Sequence, residues 1–270
     1  MTLRTGQFRS GVTKAALLAF AFASGNCLAN TYKPSPAVVS AAGDRFDFEG
    51  WDKLLGKYVD DRGRVDYQRL KADAADMQSL ERLYAQVAAQ KLDALPSKGA
   101  REAFLINAYN VCVWKSVIER LPKLKSVNDE KTSFFYFTKF IVAGKEINLY
   151  NLEGDQIRPV FKDPRVHMAL NCASASCPEL PAQAFEPKKV DAQLDREAKK
   201  FVTADRNVHY DAASNTVSLS HIFDWYDKDF DKKQIQWINK HRGADKQIPE
   251  TAKIKFVDYD WRLNDRSLSR

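Results

Sequence analysis

The chain has 270 residues, with 42 lysines and arginines against 35 aspartates and glutamates, and a formal net charge of +7 at pH 7. This length is sufficient for one sizeable hydrophobic core. The basic residues are scattered among carboxylates, which argues against nucleic acid as a partner.

Residues 1–29 have the pattern of a secretory signal peptide, with basic residues first, a short apolar run at 15–24 and a small-x-Ala motif ending at Ala29. The apolar run is shorter than the roughly 20 residues that span a bilayer. We therefore expect cleavage near Ala29, a periplasmic or secreted location, and no membrane span in the mature chain. Cleavage would leave 241 residues, with 39 basic and 35 acidic side chains and a net charge of +4.

Helices dominate the first half of the mature chain. Residues 30–44 contain Pro34 and Pro36 and are predicted to be a flexible lead-in, followed by a single domain over residues 45–270. Apolar residues at three- and four-residue spacing predict amphipathic helices over 46–58 and around 77–87.

The third predicted helix, over residues 99–121, is apolar almost all the way round, which is typical of a helix buried on most sides. It carries Asn107 and Asn110 into the interior. A buried amide needs hydrogen-bond partners, because an unpaired one costs about 1–3 kcal/mol. The two amides could fix neighbouring loops, or one of them could line a functional site.

Short strands and helices alternate in the second half. Residues 134–149 and 208–219 predict hairpins, 254–261 a closing strand, and 151–160 and 190–202 helices. This order favours an α+β fold, with several N-terminal helices packed on a small, largely antiparallel sheet built from hairpins.

One cluster of acidic residues and one cluster of aromatic residues are both interpreted as structural. Asp224, Asp227, Asp229 and Asp231 are expected on a solvated face, because they lack the spacing of a calcium loop. The nearby aromatic residues are expected in the core; they are Trp225, Tyr226, Phe230 and Trp237.

The most distinctive segment is 165–180, which holds His167, Cys172 and Cys177. Residues 166–171 alternate like a strand, which would point His167 away from the side of Val, Met and Leu. The Ala- and Ser-rich loop that follows could return Cys177 to the histidine.

Two hypotheses for this segment involve the sulfur atoms. In an oxidising compartment, Cys172 and Cys177 could form a disulfide that closes a small loop. Alternatively, His167 could act as a base that activates Cys177 as a nucleophile, with Glu153 or Asn107 orienting the imidazole.

Two further hypotheses concern ligands. A metal site made by His167 and the two cysteines is least favoured, because the spacing is wide and no fourth ligand is evident, so we expect neither a metal nor another cofactor. An anion or substrate pocket could use Ser176 and loop amides, with Arg158 or Arg165 as a clamp and Asn110 as a further contact.

Several motifs in order resemble one family. They lie at residues 58–67, 104–110, 163–178, 222–230 and 259–264. Together they resemble the uncharacterised bacterial and plant family catalogued as domain of unknown function 547. Gly154 stands where many members have a histidine, whereas Glu153 is kept. The family has no settled activity, so the resemblance implies a domain type and no reaction.

The leading functional hypothesis is a cysteine-dependent hydrolase or acyl transferase acting on an envelope or extracellular substrate. The alternative is a non-enzymatic periplasmic binding or interaction module, stapled by a Cys172 to Cys177 disulfide. Its partner would be an envelope polymer or another protein.

Overall fold

The computed structural model describes residues 30–268, and the predicted signal peptide of residues 1–29 lies outside them. The α+β class is confirmed. Five helices come first, each begun by a Ser or Asp side chain that accepts a hydrogen bond from a backbone N–H of the first turn. They are α1 (Pro36–Ala42), α2 (Phe48–Tyr58), α3 (Tyr67–Ala72), α4 (Ala74–Ala89) and α5 (Lys98–Arg120).

The helices of the second half are mostly short. They are α6 (Leu149–Asn151), α7 (Arg158–Phe161), α8 (Val190–Thr203), α9 (Ile222–Trp225) and α10 (Gln234–His241). A π-helical turn, Leu152–Ile157, joins α6 to α7, so the helix predicted over 151–160 is present as one helical stretch. Another π-helical turn, Ser133–Phe137, occupies the start of the first predicted hairpin.

The strands form two small mixed sheets, not one largely antiparallel sheet. The strands are β1 (Thr31–Tyr32), β2 (Lys139–Val142), β3 (Lys145–Asn148), β4 (Val208–Asp211), β5 (Thr216–Ser220) and β6 (Lys253–Val257). The hairpins β2–β3 and β4–β5 are antiparallel, as predicted. A strand from a distant part of the chain extends each sheet in parallel, β1 beside β2 and β6 beside β5.

The segment predicted to be a flexible lead-in contains regular structure. It holds β1 and α1, and the side chain of Gln86 on α4 donates a hydrogen bond to the carbonyl of Ala42, 3.0 Å away. The Tyr84 hydroxyl also donates to the carbonyl of Tyr32. Residues 30–44 therefore form a strand and a helix that contact α4, although their composition alone predicts no secondary structure.

Two hydrophobic cores meet at one segment. The larger core surrounds α5, where the fully buried rings of Trp51 and Trp114 meet edge to face at 4.8 Å. The smaller core lies between α8, α10 and the second sheet. Val166 belongs to the larger core and Met168 to the smaller one. The segment around His167 thus lies between the two cores.

A tight turn before α3 brings the N-terminal half against the loop after Cys177. Gly63 in this turn has φ = +69°, and a Cβ there would lie 2.5 Å from the amide nitrogen of Leu180 and 2.7 Å from the Cα of Glu179. Both conflicts involve backbone atoms, which cannot move aside as a flexible side chain can.

We expect Gly63→Ala to lower the free energy of unfolding by about 2–4 kcal/mol, because strain at positive φ adds to the cost of overpacking. Denaturant titration measures this change. Gly144→Ala is the matched control, since Gly144 also has positive φ but a Cβ would meet nothing within 4 Å. Equal losses for the two variants would contradict the predicted contact.

Glu102 on α5 is a buried acid with an unsatisfied atom. It is 8% exposed, and its Oε1 has no hydrogen-bond partner among the described residues. Burial, reinforced by the charge of Asp163, raises the pKa of Glu102 to about 7. The folded state therefore binds a proton more tightly than the unfolded chain, and stability falls as the pH rises through this range.

We expect Glu102→Gln to raise the free energy of unfolding at pH 8 by about 1–3 kcal/mol and to flatten its decline between roughly pH 4.5 and 7. Thermal or urea unfolding at several pH values measures both effects. The control is Glu49→Gln, because the side chain of Glu49 is exposed. An unchanged pH profile in Glu102→Gln would show that this carboxyl does not titrate as inferred.

Candidate functional site

The segment that carries His167 is helical, so its predicted strand is wrong. Pro164–Met168 forms a 3-10 helix, which begins where the Asp163 carboxylate accepts a hydrogen bond from the backbone N–H of Arg165 at 2.9 Å. A proline in the first turn suits a helix start. Val166 and Leu170 enter the larger core and Met168 enters the smaller one, so the two-residue spacing of these apolar side chains does not mark one face of a strand.

Cys172 and Cys177 form a disulfide, with their Cα atoms 6.2 Å apart. The backbone N–H of Cys172 also lies 2.9 Å from the Cys177 sulfur. Neither sulfur is a thiol in this state. Among the described residues, the free cysteine is Cys112, which is buried in α5.

The partner of His167 is a carboxylate. Its Nε2 lies 2.8 Å from Oδ2 of Asp229, and its ring stacks on that of Tyr226 with centroids 4.0 Å apart. The His167 side chain is 2% exposed. Asp229 was expected on a solvated acidic face, and this expectation is wrong.

Asp229 also binds Arg158, whose Nε donates to the same Oδ2 at 2.6 Å. The guanidinium lies 4.6 Å from the centroid of the Tyr226 ring, within cation–π distance. Burial raises the pKa of Asp229, but the hydrogen bonds from His167 and Arg158 outweigh it and hold the pKa well below its usual range. The carboxylate thus stays charged and fixes two side chains at once.

The two asparagines of α5 bind loop backbone. Asn107 donates to the carbonyl of Phe185 at 2.7 Å and accepts from its N–H at 3.1 Å. Asn110 donates to the carbonyl of Ala169 and accepts from the N–H of Asn171, both at 3.0 Å. These contacts correspond to the first of the two readings, in which the amides fix neighbouring loops.

Ser176 and Arg165 form their hydrogen bonds and ion pairs with residues other than His167. The Ser176 hydroxyl accepts a hydrogen bond from the backbone N–H of Asp260 at 2.9 Å. The Arg165 guanidinium forms ion pairs with three aspartates: Asp163, Asp191 and Asp195. Both side chains are already engaged by the protein.

A cleft of about 350 Å³ opens beside the disulfide. Cys172, Cys177, His167, Glu153 and Arg158 all line it. Aromatic side chains form most of the remaining wall; they are Tyr109, Phe135, Tyr136, Tyr150, Trp225, Tyr226, Tyr259 and Trp261. The cleft therefore brings together four of the candidate site residues named from the sequence: His167, Cys177, Glu153 and Arg158.

Aromatic rings form two stacked pairs at this cleft. Tyr136 and Tyr150 stack at 4.7 Å, and Trp225 and Trp261 stack at 5.5 Å. Tyr150 is 56% exposed and Trp225 is 44% exposed. Trp225 was expected in the core, and this is wrong; two of its neighbours in the same prediction, Phe230 and Trp237, are buried.

Tyr259 lies behind the disulfide. Its hydroxyl donates to the Cys177 sulfur at 3.4 Å and accepts from the Ser174 hydroxyl at 3.1 Å. Burial raises the pKa of Tyr259, so its hydroxyl remains protonated. The sequence offered no signal for this residue beyond its place in the last family motif.

Within residues 30–268, no group of three or more His, Cys, Asp or Glu side chains is arranged to hold a metal ion. None of the helices in that part of the chain is both long enough and apolar enough to cross a membrane.

The fold and the site define an α+β domain with two hydrophobic cores, a disulfide-closed loop and an aromatic cleft beside that loop. Residues 92–202 match the family described as Protein of unknown function, DUF547, which confirms the resemblance over that stretch. The match contains α5, His167 and both disulfide cysteines, and it ends before Trp225 and Tyr259. Neither a curated protein nor a solved structure matches the chain significantly.

We expect Asp229→Asn to lower the free energy of unfolding by about 2 kcal/mol at pH 7, because Arg158 and His167 lose a charged acceptor. The pKa of Asp229 is depressed in the folded state, so its contribution is present above the unfolded pKa of about 4 and is lost as the pH falls further. The difference from the unmodified protein should therefore narrow in acid. Denaturant titrations from pH 7 to pH 3 measure it.

Asp231→Asn provides the control, since Asp231 is exposed and near in sequence. An equal loss in both variants, or a difference that widens in acid, would contradict the role given to Asp229.

Proposed function

We propose that this domain is an exported binding module whose cleft holds a neutral, hydroxyl-rich carbohydrate of an envelope or extracellular polymer. The observation that carries the proposal is the convergence of exposed aromatic rings on one cleft beside a disulfide-closed loop. The disulfide belongs to the scaffold of the site in this proposal.

The aromatic walls suit a sugar ring. A sugar presents an apolar C–H face and a polar edge, and an aromatic side chain offers a flat apolar surface of similar width. Large rings exposed together at a concave surface mark a ligand site more often than an isolated exposed ring does. Tyr150 and Trp225 both retain about half of their surface at the cleft.

The charges in the cleft favour a neutral ligand. Arg158 is neutralised by Asp229, and the Lys131 ammonium lies 4.5 Å from the Trp261 ring centroid. Glu153 supplies a carboxylate on the same wall. Positive and negative groups are thus balanced, and the carboxylate can accept hydrogen bonds from hydroxyl groups.

The state of the sulfur atoms favours binding over thiol chemistry. A hydrolase or acyl transferase would need a thiolate at Cys177, whereas that sulfur is bonded to Cys172. His167 is held by Asp229 instead of a sulfur. A closed loop also pre-organises one wall of the cleft, which lowers the entropic cost of binding.

We expect calorimetric titration with soluble neutral oligosaccharides, such as oligomers of glucose and of N-acetylglucosamine, to detect binding by at least one of them. Trp225→Ala should weaken its Kd roughly three- to tenfold, the loss expected for one aromatic contact. Phe137→Ala is the matched control, because Phe137 is as exposed as Trp225 but lies outside the cleft.

Two outcomes would overturn this proposal. One is the absence of binding by every neutral oligosaccharide at millimolar concentration. The other is an equal loss in the Trp225 and Phe137 variants. If the reduced protein also reacts with an electrophile at Cys177, and His167→Ala abolishes that reaction, the thiol hypothesis would replace the binding module.

A further inference from the structure

The outer edge of the second sheet is open. The strand order is β4-β5-β6, so β6 is an edge strand, and within the described residues it pairs with β5 alone. Its register places Ile254 beside Val217 and Phe256 beside Leu219. An open edge of five residues can accept a further strand.

The backbone groups of β6 alternate in direction. The Lys253 N–H donates to the carbonyl of Asn215 at 2.9 Å, towards the β5 side. Because successive residues of a strand direct their backbone groups to opposite sides, Ile254 and Phe256 direct theirs to the open edge. Two N–H groups and two carbonyls are thus available to an incoming strand.

The side chains of β6 specify what that strand should carry. Ile254 is 38% exposed and Phe256 is 36% exposed, although both continue the face on which Val217 and Leu219 are buried. Lys253 and Lys255 lie on the other face and have no ion-pair partner in the part of the chain that the structure describes. One face therefore favours apolar neighbours and the other favours acidic ones.

We propose that β6 binds an extended segment of another protein in which acidic and apolar residues alternate, adding a fourth strand to this sheet. Backbone hydrogen bonds would supply affinity, and the alternating side chains would supply selectivity. This surface is separate from the cleft, so the proposal goes beyond the carbohydrate function and does not rest on it.

Charge disfavours full pairing with a second copy of β6 and pairing with the N-terminal residues. In a symmetric antiparallel pair of two β6 strands, centred on Ile254 or on Lys255, lysines would face lysines, which is destabilising. The N-terminal residues 1–29 contain three basic residues and no acidic one, so they lack the charge to complement this edge.

A blocked peptide of alternating glutamate and valine tests the proposal against the same peptide with lysine in place of glutamate. We expect fluorescence anisotropy to show at least tenfold tighter binding of the glutamate peptide, weakening as salt is added. Hydrogen exchange at the amides of Ile254 and Phe256 should slow in the complex.

Two variants locate the contact. Ile254→Pro removes one outward N–H and leaves the β5 pairing in place, so it should weaken binding about tenfold, whereas Ile254→Val should retain it. The double variant Lys253→Glu/Lys255→Glu should reverse the preference towards the lysine peptide. An unchanged thermal unfolding profile establishes that each variant is folded.

Equal binding of the two peptides, or protection of other amides instead of those on β6, would overturn the proposal. Self-association through β6, seen as a concentration-dependent mass that Ile254→Pro abolishes, would also overturn it and assign the edge to a second copy. None of these results decides whether an oligosaccharide binds in the cleft, so the two proposals can fail separately.

Discussion

The site depends on the need to satisfy buried backbone groups in a segment with little regular structure. Most of residues 169–185 are buried against the larger core, where water cannot pair their N–H and carbonyl groups. Buried asparagines supply the missing partners. Asn107 binds both backbone groups of Phe185, Asn110 bridges two loop residues, and Asn171 donates to the carbonyl of Pro178 at 2.8 Å. The loop keeps its shape because these amides replace a β-ladder.

Hydrogen bonds also connect the loop to residues near the C-terminal end of the described chain and, through them, to Tyr67 in the N-terminal half. Asn264 donates through its side chain to Asn171 at 3.1 Å, and its amide oxygen accepts from the Tyr67 hydroxyl at 3.1 Å. The backbone N–H of Ala175 donates to the carbonyl of Arg262 at 2.8 Å. One wall of the cleft is therefore fixed by contacts far apart in sequence. The family match over residues 92–202 therefore contains the loop, but it does not contain Tyr67, Arg262 or Asn264, which hold the loop in place.

Local sequence patterns predicted the helices and hairpins in which the apolar side chains all pack into one core or onto one face. The apolar helix α5 and both hairpins were predictable, since burial on most sides and alternation at a turn leave clear signals. The segment around His167 was misread because Val166 and Met168 have the two-residue spacing of one strand face but enter different cores. Asp229 resembles Asp227 and Asp231 in sequence, and only the fold, across a separation of 62 residues, brings it to His167. The pairing of Cys172 with Cys177 was one of several open possibilities, because composition alone does not decide between a thiol and a disulfide.

The proposed cleft ligand and the proposed strand partner would contact one continuous segment. Tyr259 and Trp261 follow β6 by only a few residues, and between them Asp260 is anchored to Ser176 through its backbone N–H. A strand bound to β6 would restrict the residues that lead into the cleft wall. If the bound strand orders these residues, a ligand that enters the cleft does not pay the entropic cost of ordering them again. Binding at β6 would then favour binding in the cleft even without a change of shape. The anchor at Ser176 limits the effect, because it already fixes the segment against the disulfide loop.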